Sequence, residues 1–175
     1  MEKILPFFMT SSWKTAFPAH CLRYEFMNMI EQARLAKEAS LQLRNTSAEL
    51  RNNVLLSFAG KLTDRKDDII YANNKDMEEA KKNGMPEAML DRLLLNENRI
   101  EGMAEGILQI VKLDDPLHQV LEERDLSSGV HLKKVSCAIG VIGIIFESRP
   151  NVTADCAALC FKAGNACVLK GGKES

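Results

Sequence analysis

Apolar residues recur at helical spacing through residues 28–113. The clearest stripe predicts one amphipathic helix and consists of Ile100, Met103, Ala104, Ile107, Leu108 and Val111. Thr46 and Glu49 have the spacing of a capping box at the start of an earlier helix. Asn83-Gly84 is a stop signal, and Asp114-Asp115-Pro116 ends the series. We therefore expect a helical layer over 28–113 whose charged residues face solvent and in which no residue is catalytic.

After Pro116 the pattern changes to that of β-strands. The alternation in 131–135 predicts one strand, preceded by a turn at 127–129. The nearly continuous apolar run from Gly140 to Phe146 is typical of a strand that is covered on both faces. Residues 166–169 form a second predicted buried strand.

A helix is predicted between these two apolar strands. Ala154–Lys162 is rich in Ala, Leu and Cys, Asn151 or Thr153 can cap its start, and Gly164-Asn165 ends it. A crossover this short predicts parallel flanking strands and a right-handed connection. The expected fold class is α/β: a helical layer followed by the start of a Rossmann-type parallel sheet.

Residues 1–27 fit neither part. Their apolar run is short and broken by Pro6, which fits a secretory signal poorly, and arginine is too scarce for a convincing transit peptide. We expect a disordered extension or a misassigned start, with Met27 or Met29 as the natural first residue. A targeting segment is the alternative.

The composition argues against several classes of binding partner. Lys and Arg (23) nearly balance Asp and Glu (24), so no global charge favours nucleic acid or an anionic membrane. The five cysteines include no CxxC, and the three histidines are scattered, which argues against a disulfide framework and a metal site. Free thiols suit the reducing cytoplasm, where we expect the protein to reside.

Candidate chemistry lies in Glu147-Ser148-Arg149-Pro150-Asn151, between the first apolar strand and the helix. Ligands of open parallel sheets bind beyond the carboxyl ends of the strands, where this segment is expected to lie. Arg149 can clamp a carboxylate or a phosphate with paired hydrogen bonds, and Asn151 can donate to a developing oxyanion. The structural alternative is that Asn151 only caps the helix and Pro150 sets the turn.

A glycine-rich segment, Lys170-Gly171-Gly172-Lys173-Glu174-Ser175, follows the second apolar strand. Its glycines allow a ligand to approach the backbone, and its lysines can meet phosphate or ribose oxygens. It is neither a Walker loop nor a GxGxxG motif, so the residues alone favour an ordinary surface turn.

The string GVIGIIFESRPNVTADCAALCFKAGNACVLKGGKES, from Gly140 to Ser175, closely resembles the corresponding stretch of the gamma-glutamyl phosphate reductases. That family belongs to the aldehyde dehydrogenase superfamily. Residues 71–117 also resemble its ANxxD, AMLDRL and RxxG(M/I)A regions, so the resemblance covers about residues 29–175. ESRPN together with KGGKE is specific to the family. Ala138 departs from it mildly, because the family commonly has proline there.

The resemblance implies an oxidoreductase, glutamate-5-semialdehyde dehydrogenase. Its reaction is the NADPH-dependent reduction of L-glutamate 5-phosphate to L-glutamate 5-semialdehyde and phosphate in proline biosynthesis, by a cytoplasmic homo-oligomer that needs no metal. Ser148 and Arg149 are then the expected substrate-binding residues, and Asn151 is the expected oxyanion donor.

The resemblance also implies a cofactor site. Lys170 and Glu174 would meet the adenine-side ribose of NADP, beside Gly171 and Gly172. Lys173 would pair with the extra phosphate of that cofactor.

The family's nucleophile is a cysteine well downstream of KGGKE, in a second domain. None of Cys156, Cys160 and Cys167 matches its motif. The resemblance therefore implies that 28–175 is the N-terminal part of the cofactor-binding domain, with the helical layer at 28–113 and the strands and strand–helix–strand unit at 130–175. The alternative function is a non-catalytic fragment that associates with full-length subunits. A general nucleotide-binding protein would explain the strand–helix–strand unit but not ESRPN beside KGGKE.

We expect this polypeptide alone to be inactive, because no residue in it matches the family's nucleophile, and to aggregate or need a partner, because its short sheet exposes apolar surface. The check is an assay of the purified chain that follows NADPH oxidation or its reverse, with a full-length reductase as the positive control. Measurable turnover by the chain would refute the expectation.

Overall fold

The computed structural model describes residues 28–147 and 149–172. The extension predicted over 1–27 lies outside these residues, as do Ser148 and the last three residues. The described chain begins with the helices α1 (Met29–Leu43), α2 (Ala48–Asp64), α3 (Lys66–Lys82), α4 (Glu87–Leu93) and α5 (Glu97–Lys112). It continues with β1 (Val120–Asp125), β2 (His131–Val135), β3 (Val141–Ile145), α6 (Pro150–Lys162) and β4 (Ala166–Lys170).

Side-chain caps mark the starts of α1, α2 and α5. The Ser47 hydroxyl accepts from the Leu50 amide at 3.1 Å, and in the same way Asn96 caps α5. The capping box predicted for Thr46 and Glu49 is therefore wrong by one residue. Its physical reason is that the Thr46 hydroxyl donates to the carbonyl of Leu43 at 2.6 Å and closes the preceding helix instead.

The main hydrophobic core lies between α2, α5 and α6. α5 contributes Ile100, Met103, Ala104, Ile107 and Ile110, and it meets Leu55, Ala59 and Leu62 of α2 and Ala154, Ala158 and Phe161 of α6. The predicted stripe is wrong at Leu108, which is 40% exposed, because Ile110 takes the buried place one turn after Ile107.

β3 and β4 form a parallel pair, as predicted, in register from Val141↔Ala166 to Ile145↔Lys170. α6 covers one face of the pair through Ala157 and Cys160, which pack with Cys167 and with Ile142, Ile144 and Leu169. The expectation of a strand covered on both faces is wrong for the described residues, since Ile145 at the end of β3 is 87% exposed. The right-handed connection stays a prediction.

β1 and β2 form an antiparallel hairpin, of which the sequence analysis predicted only the second strand. Every residue of both strands is exposed, so no buried face marked β1 in the sequence. His131 lies between two carboxylates of the first strand, with its ring nitrogens 2.6 Å from Asp125 and 2.5 Å from Glu123. The hydrogen bonds from Asp125 and then Glu123 raise the pKa of His131 above its ordinary value.

Two contacts connect the parallel pair of β3 and β4 to earlier parts of the chain. α1 packs against β4 and β3. Gly164, in the turn before β4, has φ +69°, and a Cβ there would lie 2.6 Å from Leu117 Cδ1. Only glycine satisfies both the left-handed backbone and this close approach.

A buried ion pair joins α2 to the segment after α5. Arg51 is 1% exposed, and its Nη2 donates to both carboxylate oxygens of Asp115 at 2.6 Å. Lys162 of α6, 4% exposed, donates to Asn52 Oδ1 at 2.7 Å and to the carbonyl of Val111 at 2.9 Å. These contacts cross-link α2, α5 and α6.

Replacing Arg51→Met is expected to lower the free energy of unfolding by about 3 kcal/mol, because Asp115 then stays partly buried without its ion-pair partner. Urea unfolding followed by circular dichroism measures the loss. The matched control is Arg34→Met on α1, where the pairs with Glu31 and Glu38 are solvent-exposed and the expected loss is much smaller. Equal losses in the two variants would contradict the prediction.

Candidate functional site

A cavity of about 380 Å³ lies between the α4–α5 connection and the start of α6. Its polar lining consists of Asp91, Arg92, Arg99, Arg149, Asn151 and Asp155. Leu95, Met103 and Pro150 are among its apolar lining residues. The volume lies in the range of small-molecule sites, and the many charged groups of the lining suit a charged ligand.

The first wall of the cavity is fixed by Asn73 of α3, which is 4% exposed. Its side-chain amide donates to the carbonyl of Leu93 at 2.9 Å, and its oxygen accepts from the Leu95 amide at 2.7 Å. Both backbone groups belong to the α4–α5 connection. Because the side chain satisfies a donor and an acceptor there, this connection has a defined path.

Arg99 closes the same connection from the α5 side. Its guanidinium donates to the Leu94 carbonyl at 2.8 Å, to Asp91 Oδ1 at 2.7 Å and to the Asp91 carbonyl. The charges of Arg99 and Asp91 therefore largely offset each other. Arg99 is mainly a structural part of this wall.

The second wall is the start of α6. Pro150 occupies the first turn, where its fixed φ suits a helix start, and Arg149 stands at the cap without a side-chain cap hydrogen bond. The predicted caps Asn151 and Thr153 are wrong, because both residues already lie inside the helix. Asn151 instead donates its amide to Asp155 Oδ2, one turn later, at 3.3 Å.

Asp155 contributes a half-buried carboxyl group to the cavity. Burial raises its pKa, while the hydrogen bond from Asn151 acts in the opposite direction. Across the described residues, Asp155 has that amide as its hydrogen-bond partner and no ion pair. It is therefore an acceptor that a ligand can use.

Two guanidinium groups of the lining have capacity for a ligand. Arg92 has a single long ion pair, 3.7 Å to Glu147, whose side chain is 82% exposed. Among the described residues, none forms a hydrogen bond or an ion pair with the Arg149 guanidinium, and Arg149 is exposed. Both groups can bind a carboxylate or a phosphate in a forked geometry.

The glycine-rich segment lies elsewhere. Lys170 is exposed at the end of β4, and its Nζ donates to the carbonyl of Gly171 at 2.8 Å. The amide of Phe146 donates to the Lys170 carbonyl at 3.1 Å, so the segments after β3 and β4 leave the same edge of the strand pair. Gly171 and Gly172 are half-buried and line no part of the cavity. Ser148, Lys173 and Glu174 lie outside the described residues.

The cysteines of the strand–helix–strand unit lie away from the cavity. Cys160 and Cys167 are 7% and 5% exposed and hydrogen-bonded to each other. That bond and burial raise the pKa of the Cys167 thiol, whereas the same bond lowers the pKa of Cys160. Burial raises the pKa of Cys156. Their packing leaves a substrate little access to them.

Within the described residues, the side chains form no cluster of His, Cys, Asp and Glu arranged to hold a metal ion. None of the described helices has the length and apolar character needed to cross a bilayer.

The helical layer, in which we expect no catalytic residue, nevertheless contributes to the lining of the cavity. Asp91, Arg92, Arg99 and Gly102 come from that layer, whereas Arg149 and Asn151 were candidates from the start. The available signal was the AMLDRL and RxxG(M/I)A strings, which contain the first four of these residues. Helical periodicity alone predicted that the charged residues of this layer face solvent.

Comparison with known proteins finds similar sequences and similar solved structures. The chain is 47% identical over 147 residues to a gamma-glutamyl phosphate reductase of Halothermothrix orenii and 48% identical to that of Carboxydothermus hydrogenoformans, in each case over 84% of this chain and 35% of the relative. The solved reductase of Thermotoga maritima superposes with a TM-score of 0.81 at 37% identity, over 83% of this chain and 35% of that one. The Saccharomyces cerevisiae reductase gives 0.79 at 38%, over 85% and 38%. No family model matches the chain.

These likenesses define an α/β protein in which a helical layer packs on a parallel strand–helix–strand unit. Within that class, the matched segment is similar in sequence and in fold to the corresponding part of gamma-glutamyl phosphate reductases. The chain spans 35% of the length of the curated relatives named here.

Gly102→Ala is expected to raise the free energy of unfolding by about 0.5–1 kcal/mol, because alanine restricts the unfolded chain and favours the helix. A Cβ at Gly102 would meet nothing within 4 Å. Gly60 in α2 has equally open surroundings and is the matched control, since it lies away from the cavity. Urea unfolding of both variants checks the gain. A loss of stability in Gly102→Ala alone would contradict an open cavity wall.

Proposed function

We propose that this chain supplies the substrate-binding and cofactor-binding side of a gamma-glutamyl phosphate reductase. The proposed reaction is the NADPH-dependent reduction of L-glutamate 5-phosphate to L-glutamate 5-semialdehyde and phosphate, which serves proline biosynthesis. The cavity carries this proposal: its two walls come from segments far apart in the sequence, AMLDRL–RxxG(M/I)A and ESRPN, that each resemble that family. The names of the relatives support it.

The proposed chemistry proceeds through a thioester. A cysteine thiolate supplied by a part of the reductase outside the matched segment attacks the acyl phosphate, and phosphate leaves with the electron pair of the broken carbon–oxygen bond. NADPH, when bound, supplies the hydride that reduces the thioester carbonyl, and collapse of the adduct releases the aldehyde and the thiolate. The residues of this chain bind and orient the reactants.

On the substrate side we assign Arg149 and Ser148 to the glutamyl phosphate and Asn151 to the oxyanion that develops at its carbonyl. Asn151 suits this role because Asp155 holds one of its N–H groups at 3.3 Å and the second is left for a ligand. Arg149 suits the first role because its guanidinium lines the cavity.

On the cofactor side we assign Lys170, Gly171 and Gly172 to the ribose of NADP, together with Glu174, and Lys173 to its extra phosphate. The described residues fit this group. Lys170 ends a parallel strand with its side chain exposed, and two glycines allow the ligand to approach the backbone beyond the carboxyl end of that strand.

We place the reductase in the cytoplasm and expect a homo-oligomer. A second candidate is a non-catalytic module that associates with full-length subunits. The exposed apolar side chains favour it: Ile139 is 82% exposed, Ile145 is 87% and Leu121 is 62%. Surfaces of this kind mark interaction sites when they are contiguous.

The proposal is tested in a chimera in which this chain replaces the matched segment of the Halothermothrix orenii reductase. We expect phosphate-dependent oxidation of glutamate semialdehyde with NADP, the reverse of the proposed reaction. Lys173→Gln should raise KM for NADP about tenfold by removing one charged contact to the extra phosphate, and it should leave KM for NAD unchanged. Lys134→Gln on the hairpin is the control, with no effect on either cofactor.

A chimera that folds and elutes like the parent reductase, yet lacks turnover, would contradict the proposed reaction. An equal rise of both KM values in Lys173→Gln would contradict the assignment of that residue to the phosphate. The interaction module would be favoured if the parent enzyme is active, the chimera is not, and adding the separate chain in trans restores activity.

A further inference from the structure

The cavity contains both signs of charge in positions that a phosphate alone would not explain. Arg92 comes from α4 and Arg149 from the cap of α6, so the two available guanidinium groups stand on different walls. Asp155 contributes a half-buried carboxyl group to the same lining. Arg99 and Asp91 pair with each other and leave these three groups to a ligand.

A site for a phosphate group consists of cations and N–H donors. Asp155 opposes such a ligand, because its oxygens are acceptors and its partner is the amide of Asn151 rather than a cation. An α-amino-acid group suits the lining better. Its carboxylate matches the arginines, and its ammonium matches the carboxyl of Asp155.

We propose that this cavity binds the α-amino-acid end of the glutamyl substrate, with Arg92 and Arg149 donating to the α-carboxylate and Asp155 accepting from the α-ammonium group. This inference rests on the proposed function and decides which end of the substrate Arg149 recognises. Only a short methylene chain separates that end from the reacting carbonyl. The carbonyl therefore stays within reach of Asn151 on the same wall.

Gly102 supports the assignment from the α5 side. A helical glycine lowers stability relative to alanine, and at this position no neighbouring atom of the chain lies where a methyl group would be. Because Gly102 lines the cavity, a bound ligand can occupy this free space. Gly60, with the same open surroundings but no cavity, separates the two effects.

The experiment is a titration of the chimeric reductase, in which the rest of the enzyme can cover the exposed apolar surface of this chain, followed by ligand-observed NMR so that weak binding is measurable. The probes are L-glutamate, glutarate, which lacks the ammonium group, and inorganic phosphate. We expect L-glutamate to bind about tenfold more tightly than glutarate, and phosphate more weakly than either. Asp155→Asn should remove the preference for L-glutamate and leave the affinity for glutarate unchanged.

The arginine variants test the other end of the same ligand. Arg92→Gln and Arg149→Gln should each weaken L-glutamate and glutarate about tenfold in parallel, with partial recovery in Arg149→Lys, which keeps the charge but loses the fork. Arg124→Gln on the hairpin, outside the cavity, is the matched control. Gly102→Ala should weaken L-glutamate, whereas Gly60→Ala should not.

The inference is overturned if Asp155→Asn retains the preference for L-glutamate, or if phosphate binds at least as tightly as L-glutamate and displaces it. Absence of L-glutamate binding also overturns it. If the chimeric reductase turns over while these titrations fail, only the inference falls. If L-glutamate binds as expected while a folded chimera has no turnover, the proposed reaction falls and the amino-acid site stands.

Discussion

Three helices of the described fold depend on one buried ion pair. Arg51 of α2 donates to Asp115 with both bonds at 2.6 Å, directly after α5. The pKa of Lys162 of α6 is lowered, chiefly by burial. The nearby Asp115 raises this pKa, and Arg51 lowers it. Because residues of α5 and α6 line the two walls of the cavity, this cluster helps to hold the walls that carry Arg99 and Arg149. The pair can therefore influence the geometry of the site without touching a ligand.

The division of labour around the cavity follows from hydrogen bonding. Asn73 and Arg99 use their donors on the backbone of the α4–α5 connection, so they shape the wall. Arg92 and Arg149 lack such short contacts among the described residues and stay available. A polar side chain whose donors are satisfied within the fold shapes the wall, whereas one with donors to spare can bind a ligand. The same family-like strings contain both kinds of residue.

The sequence predicted those elements that have a regular spacing of apolar residues. The helices, the parallel strand pair and the candidate loop at Arg149 and Asn151 follow from apolar spacing and from the rule that ligands lie beyond strand ends. What it could not predict depends on distant partners. β1 has no buried face and exists because β2 pairs with it, and the cap moved from Thr46 to Ser47 because Thr46 bonds to the preceding helix. Arg92 lines the cavity because the fold brings α4 close to the start of α6, and this proximity cannot be read from the sequence pattern.

The packing of α1 on β4 has a consequence for the order of folding. α1 emerges first from the ribosome among the described elements, and its partner strand emerges last. Until Ala166–Lys170 has been synthesised, the part of α1 that packs on β4 lacks its native partner, although Leu43 at the end of α1 can already join the core formed by α2 and α5. Such a non-local contact forms late and slowly. We therefore expect an interval of synthesis, ending when β4 forms, in which part of α1 is exposed to non-native contacts.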